Sequence, residues 1–519
     1  METTTTEELS VEHGISTLWP SLQNQQQQPS HGATSEITEP LHIQPAPSTE
    51  PKYPIGSKFW CTVFALCVVM IQGGLDANIV ATAVPSITDD FHTVADVGWY
   101  SSAFRLCTCA FQFGFAKLYK HFSTKIVFLL SNAIFIIGSL LCAIAATSTM
   151  FIVGRAVTGL GFSGGLAGCF AVITQLIPLS KRPLFAVGGA LTQSLGWRWC
   201  FWINLPIGGV SLATLLLLFS DPRASEVDDL TFAQKIKEID LVSNFLFIPS
   251  LTALFLALSW AGTKYSWSDG KVIALFVVFA VLLAAFFFNQ YRRGDSAALP
   301  FRIIKNRNVI AGFVFTACTN SMTNVLEWYL PTYYQVVRSH TPSESGYLIM
   351  PILVGMMLGL FLQDIGTTTL GYYAPFMLLA SVCMPVAAGL MTTGGIGFQG
   401  PQAAMQTTLN TADVNIGIGV ILFGQSMGPA IFIAIAQVTF TNELSSILKN
   451  VIPGLSPAYV EQHGLDGIKT GVPAQQLGEV LRGIDRSLTH TWYIPVALTC
   501  TTMVGSLLIE WHSVKQKQP

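Results

Sequence analysis

The sequence predicts an all-α membrane protein that crosses the bilayer many times. Of its 519 residues, 51% are hydrophobic and only 11% are charged, and the mean hydropathy is +0.52. Soluble globular proteins carry about 25% charged residues, so this chain has too little polar surface to cover a water-facing body of its size. The apolar residues also come in blocks of roughly 20, the length that crosses ~30 Å of hydrocarbon as a helix.

Composition excludes several classes of function. A net charge of −2 argues against a nucleic-acid partner, which requires a basic surface. The ten cysteines lie in or beside apolar blocks and the nine histidines lie in tails or loops, so we expect reduced thiols and no metal or haem cofactor. The sequence has no Gly-x-x-x-x-Gly-Lys-Ser/Thr loop, which argues against an ATP-driven pump. No nucleophile and base are paired in the apolar blocks, so we expect no enzyme.

Twelve apolar blocks define the predicted spans. They cover residues 59–87, 98–116, 126–146, 151–177, 199–219, 241–260, 272–290, 309–334, 346–366, 372–393, 414–440 and 491–510. The polar, glutamine-rich residues 1–57 cannot bury a core, so we expect a disordered cytoplasmic tail. No signal peptide opens the sequence, and the first span is expected to serve as its own membrane signal.

Basic clusters orient these spans, because cytoplasmic loops are enriched in lysine and arginine. The clusters lie at residues 117–125, 181–182, 292–307 and 515–517. Three strong spans separate the second cluster from the third, and five separate the third from the last. An odd number of crossings cannot return the chain to the same side. Each half therefore lacks one crossing, and we expect the two crossings at the weak stretches 183–196 and 394–411.

The same pattern predicts the domain organisation. An N-terminal helix bundle covers residues 58–219, and a linker with two extra spans covers 220–306. A C-terminal helix bundle covers 307–519 and includes an extracellular loop at 443–488. Apolar stripes within 232–239 and 477–488 are expected to form helices that lie at the membrane surface.

One motif places an acid deep in the first span. Residues 75–85 read Leu-Asp-Ala-Asn-Ile-Val-Ala-Thr-Ala-Val-Pro. An ionised aspartate at the bilayer centre costs about 2.5–3.5 kcal/mol even on the most lenient scale. Asp76 is therefore expected to face a cavity, a partner or a proton path. The alternative is a buried carboxylate that pins a neighbouring helix.

A second motif places a basic residue in an apolar span. Residues 154–161 read Gly-Arg-Ala-Val-Thr-Gly-Leu-Gly, and the small residues allow close helix packing. We expect Arg155 to face the bundle interior, although it also lies near enough to the outer edge to reach the membrane surface. A third motif, Trp-Arg-Trp-Cys-Phe-Trp-Ile-Asn-Leu-Pro at 197–206, is typical of an aromatic belt and predicts a structural role.

Together these motifs resemble the major facilitator superfamily, and most closely its fourteen-span drug:proton antiporter branch in fungi. Tyr-Leu-Pro-Thr-Tyr-Tyr-Gln at 329–335 and Gly-Tyr-Tyr-Ala-Pro-Phe at 371–376 extend the likeness, which runs from about 60 to 515. The resemblance implies two six-span bundles related as repeats, with two extra spans between them. It also implies proton-driven export of small amphipathic compounds, often secondary metabolites, toxins or drugs.

The sequence departs from that branch at three places. Ala116 stands where the branch usually has a glycine. The fifth span, which carries a Gly-Pro antiporter signature, would lie between Phe185 and Gly188 and is absent. The first part of the twelfth span is missing before Gly395. Each gap equals about one crossing of ~20 residues. We expect an intron assignment or a decayed transporter to explain the gaps, and a chain with both gaps is not expected to transport.

Two charged residues are unusual for the branch. Glu327 falls on the first span of the C-terminal bundle, across the expected cavity from Asp76. It is a candidate proton acceptor, and the alternative is a hydrated carboxylate near the outer mouth. Arg105 in the second span is expected either to pair with Asp76 or to reach the membrane surface.

We therefore expect a proton-coupled exporter, with Asp76, Arg155 and Glu327 as its proton-coupling residues. Substrate is expected at the midplane between the bundles. The candidate substrate contacts are Asn78, Gln112, Asn320 and Tyr333. We expect a monomer in the plasma membrane, with a vacuolar or vesicle membrane as the alternative. Other interpretations are a siderophore or nutrient importer of the same fold, a membrane sensor, and a truncated relic without function.

Overall fold

A computed structural model describes residues 57–91, 97–176, 198–202, 204–218, 240–261, 265–387, 397–410, 413–451 and 474–514. These residues form sixteen α-helices, and a π-helix covers Tyr333–Val337. The helices are α1 Ser57–Phe91, α2 Val97–Ala110, α3 Gln112–His121, α4 Thr124–Ala143, α5 Ser148–Leu176, α6 Trp199–Trp202, α7 Asn204–Leu218, α8 Leu241–Trp260, α9 Gly270–Arg293, α10 Phe301–Ile304, α11 Arg307–Thr332, α12 Pro342–Leu370, α13 Ala374–Ala387, α14 Gly400–Thr408, α15 Val414–Val451 and α16 Ala474–Leu508. The predicted disordered tail, residues 1–57, lies almost entirely outside the described residues.

The helices confirm the predicted fold class of an all-α, multi-pass membrane protein. Within the described ranges, eight helices are long and apolar enough to cross a bilayer, and three shorter helices are also apolar. Their outer faces expose large apolar side chains, such as Leu130, Val281 and Leu362 at 59–62%. Such a surface suits lipid, since helices satisfy their own backbone hydrogen bonds there.

The predicted span at 98–116 differs from the others in the structure. It is divided at Phe111 into α2 and α3, and neither piece is among the long apolar helices. The physical reason is polar content, since Arg105 and Gln112 fall within this stretch and Lys117 directly follows it. These two helices place three polar side chains inside the molecule instead of a uniform apolar surface.

The N-terminal bundle comprises α1 to α5 and α7. Arg198 donates hydrogen bonds to the carbonyl oxygens of Ala143 (3.4 Å) and Ala145 (3.0 Å), at the outer end of α4. Helix α5 runs back from that end and is described as far as Leu176, on the predicted cytoplasmic side. The flanking residues Leu176 and Arg198 thus lie at opposite ends of the bundle. The crossing expected at 183–196 falls outside the described residues and stays a prediction.

Two linker helices, α8 and α9, pack against each other beside the bundles. Asp240 is fully buried and caps α8 by accepting from the Ser243 backbone N–H at 3.2 Å. Its carboxylate also accepts from the Ala298 N–H at 3.2 Å and pairs with Arg293 at 3.4 Å. One aspartate therefore fixes the turn between α9 and α10. The surface helix expected at 232–239 lies outside the described residues.

In the C-terminal bundle, α14 is too short to cross the membrane. Its 9 residues extend only about 14 Å, less than the ~30 Å of hydrocarbon. Helix α13 is described as far as Ala387, next to residues outside the described ranges. Gly397 precedes α14 with a φ of 84°, and a side chain there would press on Phe315 and Ala380. Helix α14 therefore begins within the bundle, inside the stretch 394–411 where a full crossing was expected.

The last two helices correct the prediction for the outer loop. Residues 443–451 belong to α15 and residues 474–488 belong to α16, so these parts of the loop expected at 443–488 are helical. The rest of it, 452–473, lies outside the described residues. Val480, Ile484 and Leu488 are fully buried and pack in one cluster with the outer ends of α11 and α15. The prediction of a membrane-surface helix at 477–488 is therefore wrong, because the apolar stripe of this segment packs against two protein helices and not against lipid.

Candidate proton-coupling and transport site

Asp76 and Arg155 form a buried ion pair in the N-terminal bundle. Asp76 is 1% exposed on α1, and Arg155 is 0% exposed on α5. The Nη1 atom of Arg155 donates to Oδ2 of Asp76. Its Nε donates to the carbonyl oxygen of Tyr100 at 2.9 Å, and the guanidinium lies 4.7 Å from the ring centroid of Phe104. The fold thus joins two residues that the sequence offered as separate candidates.

The hydrogen bonds of this pair are incomplete. Oδ1 of Asp76 and Nη2 of Arg155 are buried, and neither has a hydrogen-bond partner among the described residues. Since Arg155 is fully buried, the alternative that it reaches the membrane surface is wrong. Buried polar groups in proteins are nearly always hydrogen-bonded, so a free acceptor beside a free donor is unusual for a buried pair.

Glycines bring α5 close enough to its neighbours to place Arg155. A Cβ added at Gly159 would lie 2.3 Å from the carbonyl oxygen of Phe104 on α2. A Cβ added at Gly138 on α4 would lie 2.4 Å from the backbone nitrogen of Thr158. Only glycine allows such approach of backbones, which is typical of packing between membrane helices. The guanidinium of Arg155 is therefore enclosed by helices on both sides.

A second polar contact joins the two bundles. The Nη2 atom of Arg105 on α2 donates to Oδ1 of Asn324 on α11 at 2.8 Å. Glu327, three residues along α11, interacts electrostatically with the same guanidinium. The expectation that Arg105 pairs with Asp76 is wrong, because Arg155 already occupies that carboxylate. The structure instead places Arg105 beside Glu327 at the bundle interface.

Aromatic rings pack across the interface at the end that is predicted to be cytoplasmic. Phe113 of α3 packs against Phe247 of α8 and Phe423 of α15, with ring centroids 5.6 and 5.0 Å apart. A Cβ added at Gly419 of α15 would lie 3.2 Å from the Cβ of Ala116. Gly419 thus leaves room for Ala116, which stands where the fungal branch usually has a glycine. The bundles are tightly packed on this side.

The outer ends of the bundles are organised differently. Among the described buried residues, they form two separate apolar clusters with no member in common. The first includes Tyr100, Phe151 and Phe201, and the second includes Val325, Phe440 and Leu444. Among the described residues, the two bundles are therefore packed together at the predicted cytoplasmic end and form separate clusters at the other.

Comparison with known proteins decides the family. The sequence profile of the Major Facilitator Superfamily matches residues 66–448. The MFS-type efflux pump MFS1 of Arthroderma benhamiae is 37% identical over an alignment of 499 positions, gaps included. The alignment covers 89% of this chain and 93% of that protein. The chain belongs to the major facilitator superfamily. It is thus a membrane transporter of small molecules and not an enzyme.

Other similar proteins agree with this assignment. The efflux pump aflT of Aspergillus parasiticus is 34% identical over an alignment of 500 positions, which covers 89% of this chain and 97% of that protein. The solved structure of the proton:xylose symporter XylE aligns with a TM-score of 0.53 at 10% identity, covering 87% of this chain and 95% of XylE. At that identity, XylE supports the transporter fold alone.

The alignment lengths also bear on the predicted gaps. The match to the Arthroderma benhamiae protein extends over 499 positions but includes only 89% of the 519 residues, about 462. About 37 positions of that relative therefore have no counterpart in this chain. The match to aflT gives about 38 such positions by the same subtraction. Two crossings of ~20 residues would account for them.

The candidate substrate residues of this transporter have different surroundings. Gln112 is fully buried; its Oε1 accepts from Ser163 at 3.3 Å, and its Nε2 has no partner among the described residues. The Nδ2 atom of Asn320 donates to the carbonyl oxygen of Thr316 in its own helix, at 3.0 Å. Asn78 lies on α1, but its side chain is outside the described part of the chain. Gln112 is thus the candidate with a free donor.

Tyr333 lies apart from the other candidates. It begins the π-helix at the outer end of α11, where its hydroxyl accepts from Nε of Arg338 at 2.9 Å. The Arg338 guanidinium also lies 5.5 Å from the Tyr333 ring centroid. The structure therefore does not bring Tyr333 together with Gln112.

A chain of neutral polar residues beside Asp76 was not predicted. Gln72, one turn before Asp76, donates through Nε2 to the carbonyl oxygen of Asn204 at 2.9 Å. The Nδ2 atom of Asn204 donates in turn to Oγ of Ser139 at 3.0 Å. Asn204 belongs to the tryptophan-rich motif, so its position in that motif was the one available signal. These contacts link α1, α7 and α4 around the site.

Proposed function

We propose that this transporter is a proton-coupled exporter of a small amphipathic compound, such as a fungal secondary metabolite, toxin or drug. The observation that carries the proposal is the Asp76–Arg155 pair, which is buried and leaves one carboxylate oxygen free. The relatives at 34–37% identity are named as efflux pumps, which supports the outward direction. In this proposal the transporter acts as a monomer in the plasma membrane.

Protonation of Asp76 is the first step of the coupling. With Asp76 ionised, its charge balances that of Arg155. A proton on the free oxygen Oδ1 removes the negative charge and leaves the guanidinium held by the Tyr100 carbonyl oxygen and the Phe104 ring. The attraction between α1 and α5 then falls, because a buried ion pair depends on both charges. The proton therefore changes the relative stability of two arrangements of the bundle.

Glu327 transmits the second part of the coupling across the interface. Its carboxylate attracts Arg105, which also holds Asn324 of the opposite bundle. A proton on Glu327 removes that attraction and weakens the contact between α2 and α11. The bundles then separate more easily on this side. Substrate binds between them, with Gln112, Asn78 and Asn320 as contacts and Tyr333 nearer the exit.

Export is tested in a yeast strain that lacks its own drug pumps. The probe is rhodamine 6G, an amphipathic fluorescent dye. Cells that produce the transporter should retain less dye than cells with an empty vector, and a protonophore should abolish the difference. Surface staining of an epitope tag checks that the protein reaches the plasma membrane. Greater retention of dye, or uptake of ferric chelates, would indicate an importer and contradict the proposal.

The predicted gaps require a second form in the same experiment. A chain that carries ~20 further residues at each gap is compared with the 519-residue chain. Export by the longer form alone would assign the function to that form, and messenger RNA sequenced across codons 180–200 and 388–405 shows which form the cell makes. Export by the shorter chain would support the proposal and overturn the expectation that the gaps abolish transport. No export by either form would contradict the proposal.

A further inference from the structure

Asp364 is a buried carboxylate that has no part in the coupling proposed above. It lies on α12, six residues or about 9 Å before the cytoplasmic end of that helix at Leu370. Its exposure is 0%, whereas Ile365 beside it is 51% exposed. Asp364 therefore faces away from lipid, into the protein.

Neither oxygen of this carboxylate has a hydrogen-bond partner among the described residues. Oδ1 and Oδ2 of Asp364 are both buried and unpartnered, and so is Oγ1 of Thr367 one turn further along. Buried polar groups in proteins are nearly always hydrogen-bonded, and buried carboxylates are paired or neutralised. An ionised Asp364 would break both rules at once.

The start of α14 does not supply the missing donors. The N–H of Gln399 donates to Oε1 of Gln363 at 3.2 Å, and the N–H of Gly400 donates to the carbonyl oxygen of Gly397 at 3.1 Å. Pro401 follows and has no N–H. The positively polarised N-terminus of α14 therefore faces the Gln363 amide. The N–H groups of Gln399 and Gly400 donate to other acceptors and not to Asp364.

The neighbouring helices do not supply a counter-charge either. The charged residues of α11 are Arg307, which is exposed at its cytoplasmic start, and Glu327, which interacts with Arg105 at the bundle interface. The helix α13 contains no acidic or basic residue, and its titratable group is the Cys383 thiol. The π-helix Tyr333–Val337 contributes two tyrosines at the far, outer end. None of these groups provides a counter-charge for Asp364.

We propose that Asp364 carries a proton at neutral pH and is a further proton-binding site of this transporter, in the C-terminal bundle and apart from Asp76 and Glu327. A neutral carboxylic acid removes the uncompensated charge and gains an O–H donor, for which the unpartnered Thr367 hydroxyl one turn away is a candidate acceptor. The protonated state follows from burial and missing partners alone. Only its part in transport rests on the proposed function.

Infrared difference spectroscopy tests the site without any transport. The purified full chain is compared with Asp364→Asn, which has nearly the same shape, in lipid nanodiscs at neutral pH. We expect the C=O stretching band of a protonated carboxylic acid in the unsubstituted protein, shifted in D₂O and lost in Asp364→Asn. The matched control is Asp295→Asn, whose carboxylate is 82% exposed and bound to Arg302, and which should leave the band unchanged.

Each outcome bears on the proposal. An identical band in the unsubstituted protein and in Asp364→Asn would overturn it, as would the lack of any such band. A band that is present only in sodium-free buffer would show a cation in place of the proton and would also overturn it. Size-exclusion profiles verify that the variants are folded. If the band is present while dye export fails in cells, the proton site stands and the proposed function falls; if export occurs without the band, the proposed function stands and the proton site falls.

Discussion

Arg155 and Asp76, 79 positions apart in the sequence, bind each other where neither is exposed to solvent. Arg155 also donates to the Tyr100 carbonyl oxygen. Oδ1 of Asp76 and Nη2 of Arg155 have no hydrogen-bond partner among the described residues. A buried ion pair adds little net stability, yet the loss of one partner is costly because it leaves a single buried charge. The pair therefore suits a role in which its charge state changes.

This energetic asymmetry gives a first prediction. Arg155→Met should lower the free energy of unfolding by about 3–5 kcal/mol, because Asp76 is left buried and unpaired. The double variant Asp76→Asn/Arg155→Met should regain a large part of that loss. Thermal unfolding of the purified protein in detergent measures both. Equal melting temperatures for the single and double variants would contradict a coupled pair.

Glu327 gives a second prediction. In whichever form exports, Glu327→Gln should abolish the proton dependence of rhodamine 6G export, because the amide cannot exchange a proton and attracts Arg105 less strongly. Dye retention is measured at several external pH values. Glu479→Gln, on an exposed face of α16, is the matched control and should leave export unchanged. Normal pH-dependent export by Glu327→Gln would remove this residue from the coupling path.

The packing of the two bundles at the predicted cytoplasmic end gives a third prediction. The Cβ positions of Ala116 and Gly419 lie 3.2 Å apart, near the ~3.5–4.5 Å that a disulfide requires. The variant Ala116→Cys/Gly419→Cys should form a disulfide on oxidation and lose export, and a reducing agent should restore it. The two single-cysteine variants contain the same native cysteines and should not respond. Export that persists in the cross-linked protein would contradict closure at this contact.

Helix packing around Arg155 gives a fourth prediction. Gly159→Ala would place a methyl group 2.3 Å from the Phe104 carbonyl oxygen, so it should destabilise the protein by about 1–3 kcal/mol. Gly209→Ala on α7 meets no atom within 4 Å and should be neutral or slightly stabilising. Thermal unfolding compares the two. Similar melting temperatures would show that α2 and α5 are not packed as described.

Hydropathy and charge predict much of this molecule from sequence. A charged residue within an apolar block stands out, which is why Asp76 and Arg155 could be chosen without a structure. Their pairing could not be derived, since it depends on how α1 and α5 pack. Asp364 carries the same signal, but it stands near the end of its apolar block, where a charge at the membrane surface is also expected.

Other features leave a weaker trace in the sequence. Gln72 and Asn204 are neutral and have no spacing that reveals their hydrogen bond. The stripe ending at Leu488 predicts one apolar face, but hydropathy does not tell whether lipid or protein covers that face. In the structure α11 and α15 cover it. Composition thus predicts which residues are buried better than it predicts what buries them.

Proton movement coupled to the probe tests the central claim most directly. The exporting form is reconstituted in liposomes that contain a pH-sensitive dye, and rhodamine 6G is added to start transport. We expect a probe-dependent proton flux that is lost in Asp76→Asn and retained in Asp90→Asn, whose carboxylate is 49% exposed and paired with Arg198. A flux of unchanged size in Asp76→Asn would contradict proton coupling through this residue.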